Sequence, residues 1–246
     1  MKILILQHIK IEDPGHIKDL MINDGAELTT IELDEGQKIP NDLSQYNAMF
    51  CMGGPMDTWM EQKYPWLIDE KRRIHEFVIE MQKPYLGFCL GCQLLGEVVG
   101  GKVVKSKNPE IGILNVSFLK KKNEDMLFKD FPDQIKSLQW HSYEVKGLEN
   151  NNNIELIASS PETKYQIFKY KNHAYGIQFH IEIKKTTVRE WSSVPEYKLS
   201  LEKELGPNAL NKFETDASKN MKDMNKYSEI LYTKFKNDIL KLKKGG

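Results

Sequence analysis

Short apolar runs alternate with amphipathic stretches along the first hundred residues, the pattern of strands laid between helices. Residues 2–8 read as a first strand, 16–23 as a helix after Asp13-Pro14-Gly15, 28–33 as a second strand and 47–52 as a third. Residues 65–81 place Leu67, Ile68, Ile74, Phe77, Val78 and Met81 at helical spacing, and Pro84 then opens a strand that delivers Cys89. Beyond Gly100-Gly101 the pattern turns β-rich, at Val103-Val104, 113–119, 135–145, 154–158 and a pair around Lys171-Asn172-His173. Residues 174–182 alternate as a strand. From Thr186 the composition becomes helical over 187–191, 196–205 and 216–242. In the last of these Met221, Met224, Tyr227, Ile230, Leu231, Phe235 and Leu242 form a stripe suited to packing on the sheet, and residues 241–246 read as a frayed end. The order predicts an α/β fold, a doubly wound, mostly parallel sheet with flanking helices over residues 1–185. A C-terminal helical extension, 186–246, is expected to pack on the same domain.

Chemistry concentrates where the apolar run Pro84-Tyr85-Leu86 breaks into Gly87-Phe88-Cys89-Leu90-Gly91. A strand that turns sharply into a helix crowds the positions two residues either side of its tip, which favours glycine there. The turn presents Cys89 to solvent at a helix N-terminus, where unpaired amides and the helix dipole favour the thiolate. A packing cysteine on a tight turn is the bland alternative. Cys89 and Cys92 also form a C-x-x-C, which fits a dithiol oxidoreductase and would let oxidation join the two sulfurs. Only Cys51 remains to extend a zinc site, so no metal is expected.

In an extended chain His180 and Glu182 point to one face, so Cys89, His180 and Glu182 supply a nucleophile, a base and a carboxylate to orient the base. Met52-Gly53-Gly54-Pro55 follows an apolar strand and exposes backbone amides, and the N–H groups of Gly54 and Leu90 are candidates for holding the oxyanion of a tetrahedral intermediate. His141 has Ser142 beside it rather than a carboxylate, and reads as a substrate-pocket residue or a structural one.

Gly-Gly-Pro, then Gly-Phe-Cys-Leu-Gly-Cys-Gln, then Gly-Ile-Gln-Phe-His-Ile-Glu, in this order and spacing, resemble the class I glutamine amidotransferase domain from the N-terminus to about residue 182. Leu33-Asp34-Glu35-Gly36, Pro109-Glu110-Ile111-Gly112, Gln139-Trp140-His141-Ser142 and Glu190-Trp191 resemble more narrowly its stand-alone, GMP-synthase-like members, whose relatives include gamma-glutamyl peptidases. The resemblance implies nucleophile Cys89, the base pair His180–Glu182, oxyanion amides at Gly54 and Leu90, and substrate contacts at Gln93 and around His141-Ser142. Cys92 stands where such relatives commonly carry histidine.

The chemistry implied is hydrolysis of a gamma-glutamyl amide, glutamine or a related small molecule, through a thioester, with no cofactor. Alternatives are a peptidase or amidase of small gamma-glutamyl amines, and a non-catalytic binding subunit. No Walker-type loop and no room for a synthetase domain are present, so amidotransfer would need a separate synthetase subunit. The 246 residues carry 35 basic and 35 acidic side chains, and only Arg72, Arg73 and Arg189 are arginine, which argues against a nucleic-acid partner. No apolar stretch approaches the roughly 18 residues of a membrane span. Three cysteines including a nucleophile fit a reducing cytoplasm.

Overall fold

The computed structural model describes residues 1–240, so Leu242 and the closing segment 241–246 lie outside the described residues. Nine strands form one sheet in the order β2-β1-β3-β4-β9-β8-β7-β5-β6. They are β1 Lys2–Gln7, β2 Glu27–Glu32, β3 Ala48–Cys51, β4 Tyr85–Phe88, β5 Lys102–Phe118, β6 Gln134–Lys146, β7 Ile154–Ser159, β8 Ile167–Tyr170 and β9 Ala174–Ile177. The half β2-β1-β3-β4-β9 is parallel, and the remaining pairings are antiparallel. The inner parallel strands β1, β3, β4 and β9 are nearly continuous apolar runs because helices cover both of their faces, whereas the edge strand β2 is mostly polar.

The helices are α1 Gly15–Asn23, α2 Trp66–His75, α3 Leu90–Val98, α4 Thr187–Trp191, α5 Pro195–Leu205 and α6 Ala209–Lys234. One apolar layer joins Ile17 and Met21 of α1 to Met224 and Leu231 of α6 and to Ile3, Phe50 and Phe88 of the strands. The other joins Leu67 and Ile74 of α2 and Leu94 of α3 to Leu4, Met49 and Tyr85. The C-terminal stripe faces the sheet: Phe235 meets Phe50 edge-on at 5.4 Å between ring centroids, while Met221, Tyr227 and Ile230 are partly buried against the same layer. Among the described residues no helix is long and apolar enough to cross a membrane.

Four expectations need adjusting. The helix expected over 65–81 is α-helical only to His75 and continues as a π-helical turn, Glu76–Glu80; Ile68 falls off its apolar face and is 57% exposed. The pieces at 103–104 and 113–119 are one 17-residue strand, β5, whose register slips between Lys105 and Glu110. Pro109 lies in that slip, where its missing N–H interrupts no ladder bond. Helix α6 begins at Ala209, ahead of the expected start at 216, because Phe213 and Ala217 extend its buried face. Finally, β9 ends at Ile177, so residues 178–182 are not regular strand. His180 is instead clamped by one isolated bridge: its N–H donates to Leu138 O at 2.9 Å and its carbonyl accepts from Leu138 N–H at 3.1 Å.

Candidate active site

The turn between β4 and α3 forces Cys89 to φ +49°, a left-handed conformation that costs a side-chain-bearing residue about 1–2 kcal/mol. Its neighbours explain the glycines. A Cβ on Gly87 would stand 2.4 Å from Gly91 O, and one on Gly91 would stand 2.1 Å from Cys51 O. The strained turn is held by Cys89 N–H donating to Ile177 O at 2.9 Å, Gly91 N–H to Met52 O at 3.1 Å and the Tyr85 hydroxyl to Gly91 O at 2.8 Å. The sulfur is not thrust into solvent as the sequence suggested. Cys89 is only 7% exposed and faces a cleft of about 240 Å³.

Gly54, Leu90, Gln93, His141 and Ser142 line the same cleft, so every oxyanion and substrate position named from the sequence converges beside Cys89. Gln93 reaches the sulfur through an intermediary: its Nε2 donates to Gln178 Oε1 at 3.3 Å, and Gln178 Nε2 donates to Cys89 Sγ at 3.6 Å. His141 is engaged on both sides. Its Nδ1 lies 3.0 Å from Tyr143 O, and its Nε2 lies 3.0 Å from Gln139 Oε1 and 3.4 Å from Glu110.

His180 is buried and donates from Nδ1 to Glu182 Oε1 at 2.6 Å. Burial pulls its pKa down, but the Glu182 charge and the bonds to Cys89 and Glu182 outweigh it, holding the imidazole well above its ordinary value. Glu182 Oε2 accepts the Ile181 N–H at 2.9 Å, which fixes the carboxylate. Its main chain is held in turn by α1: His16 N–H donates to Glu182 O at 2.6 Å. Gly15 passes so close, at φ +51°, that a Cβ there would stand 2.0 Å from that oxygen.

Several neighbours carried no sequence motif. Glu12, between β1 and α1, is 2% exposed; it accepts a hydrogen bond from Tyr197, and its Oε2 is buried without a partner. Burial raises its pKa to about 6 against the opposing influence of His180 and the Tyr197 bond. Trp191, of the Glu190-Trp191 pair noted in the sequence, packs on His180, and Ser228 of α6, which no motif marked, donates to Ile181 O. The one available signal for Glu12 was position, since loops at the carboxyl ends of parallel strands are where open α/β sheets build sites. Behind the Gly53-Gly54 loop, His8, Cys51 and Glu70 bring one donor atom each within 4.8 Å of one another, a metal-ligand chemistry in a wholly buried place. Those atoms are spent on each other: Glu70 Oε1 lies 2.9 Å from His8 Nε2 and accepts from Cys51 Sγ at 3.3 Å. Burial and the Glu70 charge push the Cys51 thiol far up, keeping it protonated.

Cys92 is wholly buried against β9, where a Cβ on Gly176 would stand 2.9 Å from its sulfur. Burial, then the neighbouring Cys89, pushes its thiol well above the ordinary range, the reverse of what a dithiol oxidoreductase needs.

The family model of class I glutamine amidotransferases matches residues 16–190. The glutamine-hydrolyzing GMP synthase subunit of Sulfolobus acidocaldarius is 29% identical over 70% of this chain and 87% of its own. The protein of the same name in Saccharolobus solfataricus is 30% identical over 63% and 78%. The crystal structure of a glutamine amidotransferase from Thermotoga maritima superposes with a TM-score of 0.83 at 28% identity, over 95% of this chain and 97% of that one. Its coverage includes the C-terminal helices that the family model leaves out. With the family model spanning well over half of its length, the chain belongs to the class I glutamine amidotransferases and is an enzyme of that family.

Proposed function

We propose that the chain hydrolyses a gamma-glutamyl amide bond, that of glutamine or of a small gamma-glutamyl amine, through a thioester on Cys89. The observation that carries this reading is Cys89 itself: held at positive φ, close enough to the Glu182-anchored His180 to raise its pKa, and open to a cleft lined by Gly54 and Leu90.

His180 takes the Cys89 proton, and the thiolate attacks the side-chain carbonyl carbon. The negative oxygen is received by the Gly54 and Leu90 amides. As the C–N bond breaks, the imidazolium gives its proton to the leaving nitrogen, which departs as ammonia or an amine. His180 then draws a proton from water, whose oxygen attacks the thioester and releases glutamate and the Cys89 sulfur. Glu182 orients the imidazole and stabilises its charged form throughout. Gln93, with His141 and Ser142, contacts the gamma-glutamyl part of the substrate.

The roof of the cleft favours action without a synthetase bound. Tyr197 and Ser200 of α5 line the cleft beside Trp140, whose Nε1 donates to Ser200 Oγ at 3.0 Å, so the chain covers with its own helix a face that a feeding protein would leave open. The names of the archaeal relatives, glutamine-hydrolyzing subunits of GMP synthase, keep a partner synthetase as the second arm of the test. Glutamate release is measured from glutamine, gamma-glutamyl dipeptides and gamma-glutamyl alkylamides without ATP, with Cys89→Ala as blank. Release from at least one substrate, absent in the blank, is expected. Silence across the panel, relieved by an ATP-dependent partner, would sink the stand-alone reading.

A further inference from the structure

The wholly buried His8 lies between Glu70 and the carbonyl of Gly53, the residue before Gly54 of the cleft wall. Its Nδ1 lies 2.8 Å from Gly53 O, and since a carbonyl oxygen can only accept, Nδ1 carries the proton. Its Nε2 is held at 2.9 Å by Glu70, which also takes the Cys51 thiol. The ring therefore cannot turn without breaking a buried network.

The carbonyl matters because it belongs to the same peptide as the Gly54 amide. That peptide is trans and planar, so its C=O and N–H point in opposite directions. With Gly53 O turned to His8, Gly54 N–H is directed away from His8. The loop is gripped on both sides: a Cβ on Gly53 would stand 1.9 Å from Glu12 Oε2, and one on Gly54 2.9 Å from His8 Cβ and 3.1 Å from Leu90 Cδ2. A Gly-Gly pair is the most freely rotating peptide a chain can carry, so its fixed orientation needs an outside hold. A hydrogen bond to the carbonyl also polarises the peptide and strengthens its N–H as a donor.

We propose that His8 is a positioning residue, which through Gly53 O fixes and polarises the Gly54 amide that receives the oxyanion. The proposal rests on the nucleophile and oxyanion reading above. An oxygen acceptor faces each ring nitrogen, and although burial pulls the His8 pKa down, the Glu70 charge and the hydrogen bonds to Glu70 and Gly53 raise it overall.

The test compares His8→Leu, His8→Asn and Glu70→Gln with wild type and Cys89→Ala on the fastest substrate of the panel. Alongside it runs the rate at which iodoacetamide alkylates Cys89, a displacement that builds no oxyanion. Loss of an oriented oxyanion donor is expected to lower kcat about 10²-fold in His8→Leu, with KM and alkylation within about threefold of wild type. His8→Asn can offer Nδ2 to the same carbonyl and should recover at least tenfold of that loss. Glu70→Gln keeps the Nδ1 bond without the charge, and should fall between; it carries the test if His8→Leu does not fold. A kcat within threefold of wild type in His8→Leu, or in Glu70→Gln where that variant carries the test, overturns the proposal. So does a parallel loss of turnover and alkylation, which marks general damage. Undiminished hydrolysis by Cys89→Ala would instead overturn the nucleophile reading, and the role of His8 with it.

Discussion

The Trp191 indole meets the His180 imidazole edge-on, ring centroids 4.6 Å apart, and its Nε1–H donates to Ile11 O at 3.1 Å. One residue at the end of α4 thus braces the proposed base and ties it to the loop that carries Glu12. Trp191→Ala opens a cavity at that junction and is expected to cost about 3–5 kcal/mol, whereas Trp191→Phe, which keeps most of the ring, should cost less than half as much. Urea unfolding measures the first effect. Support of His180 is read from kcat, which should fall in Trp191→Ala, and a wild-type kcat in that variant would show that the indole does not support His180.

The members of the Cys89, His180 and Glu182 set should be unequal. Cys89→Ala and His180→Ala are each expected to lower kcat by about 10⁶-fold, and Glu182→Gln by about 10⁴-fold, because the carboxylate orients the imidazole and transfers no proton itself. Single-turnover glutamate release checks the order. A Glu182→Gln variant as inactive as Cys89→Ala would give Glu182 a more direct part.

Glu12 should make stability depend on pH in an unusual direction. Its carboxyl is raised from 4.5 to about 6 in the folded chain, chiefly by burial, amid His180, His8, Glu182 and Tyr197. Below about pH 4.5 both folded and unfolded forms are protonated, and above 6 both are ionised, so the cost of burying the charge appears as pH rises between the two. That cost is about 2 kcal/mol. Glu12→Gln should therefore gain stability over wild type across this window, as read by denaturant midpoints at about pH 4, 5, 6 and 7. A difference that stays flat with pH would contradict it.

Cys92 should be silent in oxidation. Its sulfur is packed against β9 and its thiol is pushed well above the ordinary range, so mild peroxide is expected to act on Cys89 alone. Wild type and Cys92→Ser should lose activity at the same rate and regain it alike with dithiothreitol. Slower loss in Cys92→Ser would bring back the intramolecular disulfide that the C-x-x-C spacing allows.

How much was legible in the chain depended on whether the cause was local. Gly87 betrayed the elbow because its crowding comes from Gly91, four residues on; Gly91 is itself pressed against Cys51 of β3, but it stands in the same local motif. His180 and Glu182 were found by their spacing although the strand assumed for them ends at Ile177. Their pairing survives because the Leu138 bridge and the Glu182–Ile181 contact hold them together without a strand. Exposure of Cys89 was misjudged because the covering side chains come from distant α5. Glu12 and Tyr197 are 185 positions apart, and His8 and Glu70 are 62 apart, so no local pattern ties either pair together.

The bond from Ser228 to the Ile181 carbonyl has a consequence in time. A chain emerging from its N-terminus presents the elbow early, when β4 and α3 are made, but Trp191, Tyr197 and Ser228 come later. Until they arrive, His180 has neither its edge-on neighbour nor the α6 hydroxyl behind the next residue, and the cleft has no roof. The last helix therefore acts as the closing step of assembly: the reactive sulfur is in place well before the environment that directs it.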